Sequence, residues 1–231
     1  MNERIVLAVD IGGSHVKALA SNQTERRRFA SSPKLTPQEM VDGTLEAVAG
    51  WEWDVVSIGI PTPIRNGRPV MEPPNLGKGW VDFDYEAAFG KPTKVVNDAV
   101  MQAVGSYRGG RMLFLGLGTG LGSTLIVDGT IVGLELGHLP YRKKTFEDYV
   151  GEAYRDNKGK KRWRKLALDT VTRLSAATLP DEVVLGGGGA KELDALPPGC
   201  RLGANENAFV GGFRLWDPDW ASSSAAGAGA S

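Results

Sequence analysis

Asp10 stands two residues ahead of Gly12-Gly13-Ser14, and a second glycine run, Gly116, Gly118, Thr119, Gly120 and Gly122, recurs about a hundred residues later. Glycines at a turn let backbone N–H groups close on a bulky anion. A carboxylate beside them repels bare phosphate but suits a hydrated magnesium ion that bridges to it. The plainer alternative is an ordinary hairpin with a capping Asp. The second run is no dinucleotide fingerprint, because Ser123 stands where the last glycine after Gly118 would fall, and no G-x-x-x-x-G-K-[ST] occurs in the chain. Asn97-Asp98 lies between an apolar strand and a helix, where a carboxylate can take the proton of an attacking hydroxyl. Such a pair also caps helices routinely. Glu135, His138 and Glu147 suit a ligand dense with hydroxyls, each side chain giving or taking directional hydrogen bonds. One His and scattered acids supply too few ligands for a metal reading, and a lone His is as often structural. Lys158, Lys160, Lys161, Arg162, Arg164 and Lys165 crowd around Trp163, either as a solvated helix face or as a seat for a polyanion.

The elements that must position these residues alternate between strand and helix, an α/β pattern. Residues 5–20 and 112–127 share one design, strand, glycine turn, strand, and this echo predicts two related lobes. A helix is expected over 37–50, with Thr36 as N-cap and Pro37 in its first position. A strand follows at 55–60, a proline- and glycine-rich loop at 61–80, a strand at 93–96 and a helix from Asp98. Residues 160–177 form a basic helix, 183–191 a strand entering a glycine turn, and 205–216 a closing helix. The low-complexity stretch 222–231 reads as disordered.

The 231 residues carry 27 basic and 27 acidic side chains, a balance that argues against a duplex nucleic-acid binder. Cys200 is the single cysteine, so there is neither an internal disulfide nor a cysteine cluster for zinc. The first residues do not read as a signal peptide, and no apolar run reaches membrane-spanning length. A cytoplasmic protein without nucleic-acid or membrane partners is expected.

Together these segments resemble the ROK family of sugar kinases, within the actin, Hsp70 and hexokinase superfamily. DIGGSHVK (10–17) is similar to that family's first phosphate motif, and LGLGTGLGS (115–123) to the second. VVNDA (95–99) resembles the catalytic Asn-Asp segment, ELGH (135–138) the sugar-contacting Glu-x-Gly-His, and VVLGGGGAK (183–191) the nucleotide-side motif. PNLGKGW, GHLPYRKKTFEDYVG and NAFVGGFRLW look like the polyphosphate glucokinase branch.

The resemblance implies a two-lobed actin-like ATPase (ribonuclease H-like) fold with a hairpin phosphate loop in each lobe. Residues 1–96 would be the N-terminal lobe, 97–204 the C-terminal lobe, 205–219 a helix returning to the N-terminal lobe, and 220–231 a disordered tail. It also implies that Asp98 is the base acting on the sugar 6-hydroxyl, and that Asn75, Asn97, Glu135, His138 and Glu147 hold the other hydroxyls. Gly12, Gly13, Ser14, Lys17, Gly118, Thr119, Gly120, Gly187 and Gly188 would cradle the donor's phosphates, and Asp10 would hold Mg2+ through water. Lys160, Lys161 and Arg164 would bind polyphosphate. The implied reaction makes glucose 6-phosphate from glucose, with polyphosphate or ATP as donor, in a homodimer whose lobes close on the sugar. Two departures bear on this. LPYRKKTFEDYVG replaces the family's CxCGxxGC segment, so no zinc is expected, and Thr62 in IPTP stands where glycine is usual. The alternatives are an ATP-dependent kinase for another hexose, a sugar-binding sensor, and an ATPase that binds no sugar.

Overall fold

The computed structural model describes residues 4–204 and 206–221, and the chain divides into two compact units. In the first, β1 (Val6–Ile11), β2 (His15–Ala20) and β3 (Arg27–Ala30) form an antiparallel meander. Then come α1 (Pro37–Ala47), β4 (Val55–Ile60), β5 (Ile64–Arg65), β6 (Arg68–Pro69), α2 (Tyr85–Phe89), β7 (Thr93–Asn97) and α3 (Asp98–Ser106). The sheet runs β3-β2-β1-β4-β7, with β4 parallel to β1 and to β7. β4 is buried at every residue, as a parallel strand covered on both faces must be, which explains its continuous apolar sequence.

Local chemistry fixes α1 as expected. The Thr36 hydroxyl accepts from the Glu39 amide at 3.3 Å while Glu39 accepts from the Thr36 amide at 2.8 Å, a reciprocal cap. The loop expected over 61–80 is more ordered than that reading. Asn66 and Gly67 take positive φ (52° and 73°) and close the β5–β6 hairpin, the turn for which Asn-Gly is the strongest short signal. Glu72 then accepts from the amides of Gly79 and Trp80, and Trp80 is fully buried.

The second unit repeats the first unit's plan. β8 (Arg111–Leu117), β9 (Leu121–Val127) and β10 (Thr130–Leu134) form a meander. β11 (Pro140–Tyr141), β12 (Lys144–Thr145), α4 (Glu147–Val150), α5 (Glu152–Lys158), α6 (Lys160–Thr178), β13 (Glu182–Gly186) and β14 (Cys200–Leu202) follow. The sheet order, β10-β9-β8-β13-β14, matches that of the first sheet strand for strand. α6 buries Trp163, Leu166, Ala167, Thr170, Val171 and Leu174, spaced as one face of a helix, so its cations fall on the opposite face.

The first unit runs to Gly105 and takes in Ala208–Pro218, where the sequence had set a lobe boundary between residues 96 and 97. The reason is packing. β7 is hydrogen-bonded to β4 out to Asn97, and α3 lies so close on that sheet that a Cβ at Gly59 would meet Met101 Cε at 2.7 Å. α7 (Asn207–Arg214) closes against the same helix, with Gly211 lying on the Met101 carbonyl. Beyond it, Trp216 Nε1 donates to Ser57 Oγ at 2.9 Å, and that hydroxyl donates to the Gly212 carbonyl at 2.7 Å. Lys94 donates to the Leu215 carbonyl and stands 4.4 Å from the centre of the Trp216 ring. Of the tail expected from residue 220, Trp220 is buried, edge-on to Tyr107 at 5.4 Å, and 222–231 lie outside the described residues.

Candidate active site

Asp98 opens α3 directly after β7, at the carboxyl end of a parallel strand, where open α/β sheets place their ligands. Its position is set by its neighbour. Asn97 Oδ1 accepts from the Ala99 amide at 2.9 Å, which caps the helix, and Asn97 Nδ2 donates to the Thr62 carbonyl at 3.1 Å. Both polar atoms of the Asn97 side chain are thus engaged by the chain, so its role is at least partly to hold α3. Thr62 is 2% exposed and its hydroxyl donates to the Met71 carbonyl at 2.9 Å, so it offers nothing to a ligand. Asn75 lies exposed in the turn after Pro73-Pro74.

The first glycine turn joins β1 to β2 through Gly12 N–H to the His15 carbonyl, leaving Gly13 and Ser14 exposed. Asp10 and Lys17 face each other across the two strands, Nζ to Oδ2 3.3 Å, a cross-strand ion pair at the base of the turn. Lys17 therefore serves the carboxylate as well as any anion at the turn. Among the described residues no group of three or more metal-ligating side chains comes together. With one carboxylate and a competing lysine, the turn fits a hydrated magnesium ion carried in by phosphates better than a caged one.

In the second unit the turn between β8 and β9 abuts the hydroxyl-binding candidates. A Cβ on Gly120 would lie 2.7 Å from Glu147 Oε2, so the turn passes close to that carboxylate and a side chain there would push it aside. His138 Nε2 lies 3.4 Å from Glu147 Oε1. Partial burial pushes the Glu135 carboxyl above the usual carboxylate range; His138 opposes the shift and Glu147 adds to it. The three residues thus form one electrostatic group. Ser123, which sequence reading noted only as a missing glycine, holds that group in place. Its buried hydroxyl donates to the Leu134 carbonyl and accepts from the Leu136 amide, bracketing Glu135. Gly187, at φ +76°, passes so close to the Leu117 carbonyl that a side chain there would collide with it, so this glycine is explained by packing; Gly188 faces open space.

The basic cluster divides. Lys160 is paired with Glu192 at 2.7 Å, and Arg164 with Asp194 at 2.6 Å and the Glu192 carbonyl. Lys158, Lys160, Lys161, Arg162 and Lys165 line a hollow of about 430 Å³ at the start of α6. A larger hollow of about 730 Å³ in the first unit, lined by Arg68, Asp84, Glu86 and Lys91 among others, includes none of the sequence-predicted site residues. No helix among the described residues is long and apolar enough to cross a membrane.

Comparison with known proteins adds three findings. The model of the ROK family matches residues 6–152. The chain is 24% identical over 218 residues to a polyphosphate glucokinase of Mycobacterium tuberculosis (strain ATCC 25177 / H37Ra), covering 85% of this chain and 82% of that protein. Among solved structures it resembles the inorganic polyphosphate/ATP-glucomannokinase from Arthrobacter sp. strain KM, with TM-score 0.79 at 24% identity over 97% of this chain and 100% of that one. It also resembles the glucokinase from Streptomyces griseus solved with glucose and AMPPNP, with TM-score 0.74 at 18% identity over 91% and 98% of the two chains.

Proposed function

We propose that this chain, which belongs to the ROK family, is a hexose kinase that phosphorylates the 6-hydroxyl of glucose with Asp98 as general base. The observation that carries the reading is the placement of Asp98 at the carboxyl end of β7 on a helix capped by its own neighbour, which fixes a carboxylate where a substrate would sit. The two-unit actin-like fold shared with known ROK sugar kinases supports it. In the reaction Asp98 takes the proton of the attacking hydroxyl as the new O–P bond forms and the donor's bridging bond breaks, with the leaving phosphate keeping that electron pair. Glu135, His138 and Glu147, with Asn75, hold the remaining hydroxyls. Backbone N–H groups at Gly12–Ser14 and Gly118–Gly120 receive the donor's phosphates; Asp10 would help hold the donor's magnesium, which would offset the charge developing on the phosphates.

Inorganic polyphosphate is our preferred donor beside ATP. α6 begins at an uncapped glycine with no acid in its first turn, and Lys161 and Arg162 stand there beside Lys160, which is itself paired with Glu192. Cations at a helix N-terminus oppose the macrodipole, so a polyanion relieves both at once. The names of the relatives point the same way. The test is sugar 6-phosphate formation by purified protein with glucose and either donor, beside Asp98→Asn. Product from wild type alone supports the kinase. No product from any common hexose would overturn it and favour a sugar-binding sensor.

A further inference from the structure

His138 and Glu147 sit at the two feet of the β11–β12 hairpin, and what fixes that hairpin fixes their separation. Next to His138, the Leu139 carbonyl accepts from the amide of Phe146, the residue before Glu147. One rung therefore ties the two feet together. At the far end of α4 the Val150 carbonyl accepts from Trp163 Nε1 at 2.6 Å, which anchors that helix to α6.

The second anchor is Tyr141, buried in the hairpin. Its ring stacks on Phe146 at 4.6 Å with 14° between planes and meets Tyr149 edge-on at 5.5 Å. Its hydroxyl donates to Asp169 Oδ2 at 2.5 Å, and the same oxygen accepts from Arg173 Nε at 3.0 Å. Arg142 and Arg173 stand 5.2 and 5.7 Å from the ring centre. The hydrogen bond from Tyr141, opposed by partial burial and aided by Arg173, holds the Asp169 carboxyl below the usual range, so it accepts as a carboxylate at neutral pH.

We propose that the Tyr141–Asp169 hydrogen bond is a positioning device for sugar recognition: it locks Phe146 and, through that residue, holds Glu147 at its distance from His138. This rests on the reading of Glu147 and His138 as hydroxyl partners. A charge-assisted bond of this kind is directional, and the stack alone permits the rings to slide.

The test measures glucose affinity by calorimetry and the KM for each substrate in wild type, Tyr141→Phe, Asp169→Asn and Asp169→Ala. Tyr141→Phe keeps the stack and loses the bond, and should weaken glucose binding about tenfold, as loss of a hydrogen bond to a charged group does. The KM for the donor should stay unchanged. Asp169→Asn keeps an acceptor and should retain more affinity than Asp169→Ala. In a Glu147→Gln background the Tyr141→Phe effect should vanish, because the path runs through Glu147. Glucose affinity equal to wild type in Tyr141→Phe, or a loss undiminished beside Glu147→Gln, would overturn the proposal while leaving the kinase reading intact. A wild type that binds no hexose would overturn both.

Discussion

The Asn97 amide donates to the Thr62 carbonyl at 3.1 Å, joining the residue before the proposed base to one 35 positions earlier. Asn97 also caps α3 through its oxygen, so one side chain couples the loop after β4 to the helix that begins with Asp98. The residue beside the base therefore ties the start of its helix to that loop.

Removing that coupling should cost stability as well as rate. Asn97→Ala loses a helix cap and a part-buried hydrogen bond, together about 2 kcal/mol. For a chain of this size that lowers the melting temperature by roughly 4–8 °C. The kcat should fall more than the glucose KM rises, because the base is misplaced and the Glu135 group is untouched. Thr62→Val, which deletes only the bond to Met71, should cost about 1 kcal/mol. A full-rate Asn97→Ala enzyme would show that Asp98 needs no such support.

Asp98→Asn should reduce phosphorylation by about 10²–10⁴-fold, the range for loss of a general base. Its melting temperature should stay near that of wild type, since Asn is well accepted at the start of a helix. Isothermal glucose binding that survives in the variant would separate the loss of chemistry from a loss of fold.

The cations of α6 should sort into two classes. Neutralising Lys161, Arg162 and Lys165 should raise the KM for polyphosphate about tenfold, a loss of ~1.4 kcal/mol, and flatten its dependence on salt. The KM for ATP should hold steady. Replacing Lys160 or Arg164 instead breaks their ties to Glu192 and Asp194, so these changes should lower stability and affect both donors alike. Equal responses in the two sets would remove the case for a polyanion at this helix.

Glu135 gives a pH prediction with a definite sign. Its carboxyl is pushed up mainly by burial, so the folded state holds its proton to higher pH than the unfolded chain does. Stability from this group is full at low pH and is lost as pH rises from the ordinary carboxylate value through the raised one. Glu135→Gln should therefore raise the melting temperature at pH 7, leave it unchanged near pH 4, and weaken glucose binding at pH 7. Thermal melts at the two pH values, with calorimetry at the higher one, check all three.

Much of the frame was legible because it is written locally. The Thr36 cap followed by Pro37, and the glycine turns after β1 and β8, are read from neighbouring positions. Asn66-Gly67 carried an equally local signal for the β5–β6 hairpin within the expected loop. What stayed hidden lies in side chains that meet across long stretches of sequence. Thr62 with Asn97, Tyr141 with Asp169, and Ser57 with Trp216 have no periodicity to betray them. The extent of the first unit is likewise set at long range, by the pairing of β7 with β4 and the packing of Met101 against Gly59.

Because Ala208–Pro218 belongs to the same unit as the first strands, that unit is completed only after the whole stretch between Gly105 and Ala208 has been synthesised. About a hundred residues separate Gly105 from Ala208, and at a ribosomal rate of about 5–20 residues per second the segment ending at Gly105 waits roughly 5–20 seconds for its final piece. During that wait Ser57 and the Gly59 strand lack the cover that α7 and Trp216 later give them. A nascent chain stalled before residue 208 would therefore present an unfinished sheet to chaperones, however well its N-terminal sequence is made.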